Sequence, residues 1–581
     1  MNISKYDLLN MILKKSEKNQ RKLAALTGLS LGKVNSCLRE LIEDGYLNEQ
    51  LEISEQAQKK AEKQRPRHAV ILAAGYGMRM VPINVEVPKG LLEIGGERLI
   101  ERLIRQLREA GVHQIDVVVG FMKERYEYLI DKWNVRLIFN EEYGRKNNLS
   151  SLNKVADRIG NSYILPCDIW CRENPFSGYE WYSWYMMTEE ESKDSGVRVN
   201  RKRELVRVKA EKSGHRMVGI AYIQDQEADR LKQLLGLYAS QRTYDQKFWE
   251  EVLFAESKMW IASRIAKEED VYEINTYEQL REIDSHSGHL QTDILEKIAE
   301  VLSCKLEEIQ EIQALKKGMT NRSFEFSCRG ERYIARIPGE GTDRLINRRQ
   351  EFEVYEALKG TDICDPVVYI SPESGYKITK FIENARPCRK ENKKEVEDCM
   401  RYLKAFHDRK LQVGHTFQLF EQIEYYERLR GDYPSDYEDY EETKRKVFEL
   451  KAYIDRQPKT IALSHIDAVC DNFLLAPEKM YLIDWEYAGM QDVHVDIAMF
   501  AIYAMYSKEE VDWLIACYFQ GEPSAAVRVK IYCYIAVCGL LWSNWCEYKK
   551  TCGIEFGEYS LRQYRYAKEY YRYAKAEMEA E

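Results

Sequence analysis

The chain has 581 residues, 45% of them hydrophobic and 31% charged, with a formal net charge of -8. At about 150 residues per domain this length predicts three or four domains, and the composition excludes a largely disordered chain. So small a net charge excludes a chain-wide basic field for nucleic acid, while 40 tyrosines against 17 phenylalanines form an excess that needs a place.

The 14 cysteines run from Cys37 to Cys552 without a C-x-x-C pair, which suits neither a disulfide framework nor a zinc ribbon. The opening MNISKYDLLNMILKK is too polar for a signal peptide, and no run of about 18 apolar residues is read. The expectation is a reduced, cytoplasmic chain with no membrane insertion.

In residues 1–66, amphipathic stretches over 6–14 and Gln20–Thr27 precede Gly28. A longer one over 30–44 puts Val34, Leu38, Leu41 and Ile42 on one face, with Ser30 as N-cap and Gly45 as stop. The run RKLAALTGLSLGKVNSCLRELIEDGYL resembles a winged helix-turn-helix of the MarR-like kind, with its wing near 46–53. The resemblance implies DNA contacts from Ser30, Lys33, Asn35 and Arg39. A winged helix can also dimerise or dock, which leaves a homo-oligomer open. The polar AQKKAEKQRPR reads as a linker with its boundary at Pro66.

Residues 67–285 alternate strands (HAVILAAG, QIDVVVGF, VRLIFN, SYILPCD) with helices such as LIERLIRQLREAG, which turns Leu99, Leu103, Ile104 and Leu107 inward. This rhythm predicts a parallel, doubly wound α/β sheet of Rossmann-like kind, with ligands at the carboxyl ends of its strands. The first strand runs into Ala73-Ala74-Gly75-Tyr76-Gly77-Met78-Arg79, and Pro88-Lys89 follows. Glycines at 75 and 77 let backbone N–H groups approach an oligophosphate, and Arg79 and Lys89 supply cations for phosphates that become pyrophosphate.

Together these residues resemble the signature of sugar-phosphate and phosphocholine nucleotidyltransferases, and FNEEYGRKNNLSSL resembles the bacterial CTP:phosphocholine cytidylyltransferases. The resemblance implies CTP bound near Ala73, Ala74, Gly75, Gly77, Arg79 and Lys89, and Mg²⁺ on Asp168 and Glu273. Asn275 stands where that family's closing E-I-D has its aspartate. Trp181, Tyr182, Trp184 and Tyr185 either offer aromatic faces to a quaternary ammonium or pack a helix on the sheet. A hexose-1-phosphate remains an alternative substrate.

Residues 286–581 begin with strand-like RSFEFSC and ERYIARI, continue in the helix DRLINRRQEFEVYEALKG, and become mostly helical, the α+β plan of protein kinases. His465-x-Asp467 with Asn472 keeps the H-x-D-x-x-x-x-N spacing of kinase catalytic loops, and Asp484-Trp485-Glu486 follows. In that pattern Asp467 orients the substrate hydroxyl, Asn472 and Asp484 hold Mg²⁺, and His465 braces the loop. His407 reads as a packed helix-end residue.

KKGMTNRSFEF would cover the ATP phosphates with Gly318, Thr320 and Asn321 at its turn. Arg336 stands at the usual lysine position, with Glu351 or Glu353 as partner. These departures resemble choline and ethanolamine kinases, relatives in fold of the aminoglycoside phosphotransferases. That resemblance makes Trp542 and Trp545 a cation–π pair for choline and Glu486 an added carboxylate. The conjunction implies choline and ATP giving phosphocholine, then phosphocholine and CTP giving CDP-choline. The alternatives are a DNA-binding regulator that senses choline or nucleotides, and a sugar kinase fused to a sugar-phosphate nucleotidyltransferase.

Overall fold

The structure is a computed structural model that describes residues 3–193, 195–200, 203–208, 213–255, 259–315, 321–339, 342–552, 554 and 556–580. The chain forms two compact units, Met1–Thr292 and Asp293–Glu581.

The first unit opens with helices α1 (Ile3–Lys15), α2 (Gln20–Thr27), α3 (Leu31–Glu43) and α4 (Glu55–Lys63). Gly28, at φ +66°, makes the turn after α2, and Ser30 Oγ caps α3 by accepting from Lys33 N at 3.2 Å. A single antiparallel bridge, Leu47 to Ile53, forms the wing. The stretch expected as a linker is in fact α4, capped by Ser54 and burying Ala57 and Ala61. Two alanines four residues apart on an otherwise polar helix give a stripe too narrow to register as amphipathic. Nor does the winged helix stand alone. Leu8, Leu9, Leu38 and Leu41 belong to one apolar cluster with Leu103, Val117, Trp181 and Trp184 of the domain that follows.

That domain is built on a seven-stranded sheet in the order Ala262–Ala266, Trp184–Ser192, Gly214–Ile223, Ser162–Pro166, His68–Ala73, Gln114–Val119, Arg136–Phe139. His68 lies opposite both Gln114 and Ser162, so the central strands are parallel. Gly214–Ile223 runs antiparallel to both of its neighbours, which makes the sheet mixed rather than wholly parallel. His68–Ala73 is buried along its whole length, hence an unbroken apolar run rather than an alternating one. Helix Leu99–Glu109 covers one face through the four apolar residues expected to turn inward.

The second unit begins with a helix that sequence reading did not register, Asp293–Leu302. A five-stranded sheet follows, Ile309–Ala314, Asn321–Cys328, Glu331–Pro338, Lys377–Lys380, Val367–Ile370, with helix Arg348–Leu358 inserted before the last pair. The rest is largely helical. One helix of 27 residues, Ala525–Thr551, is long and apolar enough to cross a bilayer, contrary to the expectation of no such run. It is a core helix, with 78% of its apolar window buried within the unit.

Candidate active sites

In the first unit a cavity of about 1030 Å³ opens at the carboxyl end of His68–Ala73. Ala73 ends the strand and Ala74 is buried behind it, its carbonyl accepting from Phe121 N at 3.0 Å. Gly77 is left-handed at φ +60°, and a Cβ there would come within 2.9 Å of the Lys89 stem, whereas Gly75 has open space around it. The glycine requirement is therefore steric at 77, where backbone and lysine close together. Lys89 Nζ donates to Asp168 Oδ2 and to Asn275 Oδ1, each at 2.7 Å, and Arg79 Nη2 reaches the same Asn275 oxygen at 2.7 Å.

Glu273, expected as the second metal ligand, instead has its carboxylate 3.9 Å from Arg216. It lines the same cavity, but the side chain gathered beside Asp168 and Lys89 is Asn275. Successive side chains of a strand point to opposite sides, and residues 273 and 275 share a side only while the strand stays regular; it ends at Glu273. Among the described residues no three His, Cys, Asp or Glu side chains converge as a metal cluster. Asp168 is the carboxylate that suits Mg²⁺, which takes one or two carboxylates and leaves the rest to water and phosphate, whereas the Asn275 oxygen already accepts from two cations.

The aromatic residues 181–185 do not form a cage. All four are buried, Trp181 and Tyr182 against the winged helix. Only Tyr185 lines the cavity, its hydroxyl donating to Glu250 Oε1 at 2.9 Å. Glu250 is a cavity residue that sequence reading missed. Its Oε2 is buried without a partner, and burial pushes its carboxyl up to about 7. A glutamate within FWEEVLF carries no signal of its own.

In the second unit a cavity of about 660 Å³ is lined by Asp467, Asn472, Asp484 and Glu486 and also by Trp542 and Trp545. Asn472 Nδ2 donates to Asp467 Oδ2 at 3.1 Å and to the Asp467 carbonyl at 2.8 Å. The Asn472 side-chain oxygen and the Asp484 carboxylate line the same cavity, and hard oxygen donors of this kind suit Mg²⁺. Desolvation raises the Asp467 carboxyl well above its ordinary value, with the charges of Asp484 and Glu486 adding to it. Asp484 is raised too, chiefly by burial and against the pull of Arg336.

Arg336 forks onto Glu351 at 2.5 and 2.9 Å, so its partner is Glu351 and not Glu353, which faces His415. Glu486 accepts from Asn321 Nδ2 at 2.8 Å and from Arg348 Nη1 at 3.4 Å, with Arg336 at 4.0 Å. The carboxylate assigned to a positive head group is thus already answered by guanidinium groups. Thr320 and Gly318 lie outside the described residues.

Trp542 and Trp545 meet edge to face with centroids 5.2 Å apart, and Tyr487 stands against Trp542 at 5.7 Å. Tyr503 and Tyr559 line the same cavity, which locates part of the tyrosine excess. His465 is fully buried and held neutral, its pKa lowered to about 4 by desolvation, and its Nε2 donates to the Ile483 carbonyl at 2.9 Å. The loop's real anchor was missed. Asp496 accepts the backbone N–H groups of His465 and Ile466 at 2.8 and 2.7 Å, and His407 Nε2 lies 3.0 Å from it. One carboxylate inside the apolar helix His494–Ala504 was the signal available.

On the winged helix, Ser30, Lys33, Asn35 and Arg39 are all exposed on or beside α3.

Three family descriptions match in chain order: winged helix-turn-helix DNA-binding over 1–48, MobA-like NTP transferase domain over 69–174, and choline/ethanolamine kinase over 312–520. The choline-phosphate cytidylyltransferase of Streptococcus pneumoniae is 41% identical over 108 residues, 19% of this chain and 47% of that protein, so the match spans about half of its length. A 2-aminoethylphosphonate cytidylyltransferase of Lancefieldella rimae is 30% identical over 205 residues, covering 32% of this chain and 78% of that protein. Among solved structures, the choline kinase LicA of Streptococcus pneumoniae is 29% identical, with TM-score 0.43 over 48% of this chain and 98% of that one. The chain thus belongs to three families at once, as a fusion of a winged helix-turn-helix, a MobA-like nucleotidyltransferase and a choline/ethanolamine kinase domain.

Proposed function

We propose that the protein makes CDP-choline in two steps, phosphorylating choline with ATP in the second unit and transferring CMP from CTP to phosphocholine in the first, with release of pyrophosphate. The observation that carries this reading is the aromatic lining of Trp542, Trp545 and Tyr487 in the same cavity as Asp467. The faces of such rings attract a quaternary ammonium through their quadrupoles.

In the kinase, Asp467 accepts or orients the proton of the choline hydroxyl, and its raised pKa favours that role. Arg336, fixed by Glu351, pairs with ATP phosphate. In the transferase, Lys89 and Arg79 stabilise the negative charge that passes to pyrophosphate, and Glu250 faces the head group. Bound Mg²⁺ would be held by Asn472 and Asp484 in one site and by Asp168 in the other, adding positive charge at the phosphates.

Purified protein with choline, ATP, CTP and Mg²⁺ is expected to yield CDP-choline. Parallel reactions with ethanolamine, 2-aminoethylphosphonate and a hexose decide the substrate. Turnover of the hexose alone overturns the proposal. A primary amine in place of trimethylammonium is favoured at the transferase by one observation, the unpartnered Glu250 Oε2, which can accept an N–H. DNA binding by the N-terminal domain is supported by the exposed Lys33, Asn35 and Arg39, and a gel shift that weakens with salt tests it.

A further inference from the structure

Asp7, on α1, belongs to none of the motifs, yet it joins the winged helix to the wall of the transferase cavity. Its carboxylate accepts from the Tyr182 hydroxyl on one oxygen and pairs with Arg203 Nη1 on the other. Arg203 closes a hairpin made by strands Val197–Val199 and Leu205–Arg207. At φ +62° it is in the left-handed region, which a residue with a Cβ adopts only when its surroundings hold it there. Its backbone N donates to Asn200 O at 2.9 Å, and its carbonyl accepts from Ser263 N at 2.7 Å. The side chain is held by Asp7.

The other end of the hairpin faces the cavity. Gly196, Val197, Arg207 and Val208 line the cavity. Arg207 Nη2 donates to Glu251 Oε1 at 2.5 Å, and its guanidinium lies over Phe254 at 4.9 Å. Both partners are cavity residues of the Trp249–Phe254 segment that also carries Glu250. The register Val199 to Leu205 and Val197 to Arg207 ties the held end to the lining end. α1 is itself a fixed anchor: Tyr6 stacks on Trp181 at 6.0 Å, and Lys14 Nζ donates to the carbonyls of Asn174 and Phe176 at 2.6 and 3.3 Å.

We propose that Asp7 is a positioning residue for nucleotidyl transfer: through Arg203 the winged helix holds the 197–207 hairpin in place as the wall of the substrate cavity. This rests on the reading of that cavity as the CTP and phosphocholine site. The N-terminal domain is then part of the transferase as well as a neighbour to it, and substrate binding depends on how it is seated.

The test uses the full chain with Asp7→Ala, Asp7→Asn and Asp7→Glu. KM for CTP or phosphocholine is expected to rise about tenfold in Asp7→Ala, because a displaced wall loosens binding. The kcat value should stay within about twofold, and Asp7→Glu should restore most of the loss. Kinase activity is unchanged. Amide hydrogen exchange over 197–207 should speed up in Asp7→Ala and Asp7→Asn. Unchanged KM values together with unchanged exchange overturn the proposal, as does loss of kcat alone. If the wild-type protein transfers no CMP, the reading of the cavity has failed, and exchange over 197–207 still decides whether Asp7 holds the hairpin.

Discussion

Two carboxyl groups with raised pKa values line the two cavities, one in each. Asp467 is raised by burial and by Asp484 and Glu486. Asp467→Ala is expected to lower phosphocholine formation by about 10²- to 10⁴-fold, the range of a positioned acid–base group. CDP-choline formation from supplied phosphocholine should be untouched, and separate assays of the two half-reactions check this. Glu250, pushed up to about 7 from 4.5, is neutral in the folded protein over a range where the unfolded chain is ionised. Its contribution to stability is present below pH 4.5 and lost as pH rises toward 7. The charge that attracts an ammonium appears over the same upward titration. KM for phosphocholine should therefore fall between about pH 6 and 8, and Glu250→Gln should flatten that profile. Asp467 and Asn472 were legible because a catalytic loop packs them into one short segment. Glu250 was not, because it has no motif around it, and Asn275 was read only as a departure from a motif, because its contacts with Lys89 and Arg79 come from distant parts of the chain.

At the scale of elements, those with a strong apolar pattern were legible to within a residue or two, the unbroken run of His68–Ala73 and the periodic face of Leu99–Glu109 among them. Those that carry little were not. Helix α4 shows only two buried alanines, and a neighbour that covers a narrow stripe leaves no broad apolar face to read. The mixed sheet had the same cause, since strand direction depends on a connection and not on the composition of Gly214–Ile223. The winged helix is where this matters most. Tyr6 stacks on Trp181 and meets the edge of Tyr46 at 5.7 Å. Tyr6→Ala would open a cavity between two domains and should destabilise the first unit by about 3 kcal/mol. Denaturant unfolding followed by tryptophan fluorescence checks this, with kinase activity as the unchanged control.

For the whole molecule, the nucleotidyltransferase and kinase domains lie in separate units, each with its own cavity. Asp467→Ala and Asp168→Ala proteins, each unable to complete the pair of reactions, should together restore CDP-choline from choline, because phosphocholine made by one is free to reach the other. Failure of the mixture while each retains its remaining half-reaction would show that the intermediate is retained. What the sequence determined by itself was the order of three domains and the chemistry of two motifs. Phosphate binding and phosphoryl transfer demand particular residues at short spacings, and short spacings survive in a linear reading. What only the tertiary structure decided was which distant side chains meet: Asn275 with Lys89 and Arg79, Asp496 with the catalytic loop, Asp7 with the hairpin. Those meetings depend on burial and packing between segments far apart in the chain, and the apolar cluster that fuses the winged helix to its neighbour exists only once both have folded.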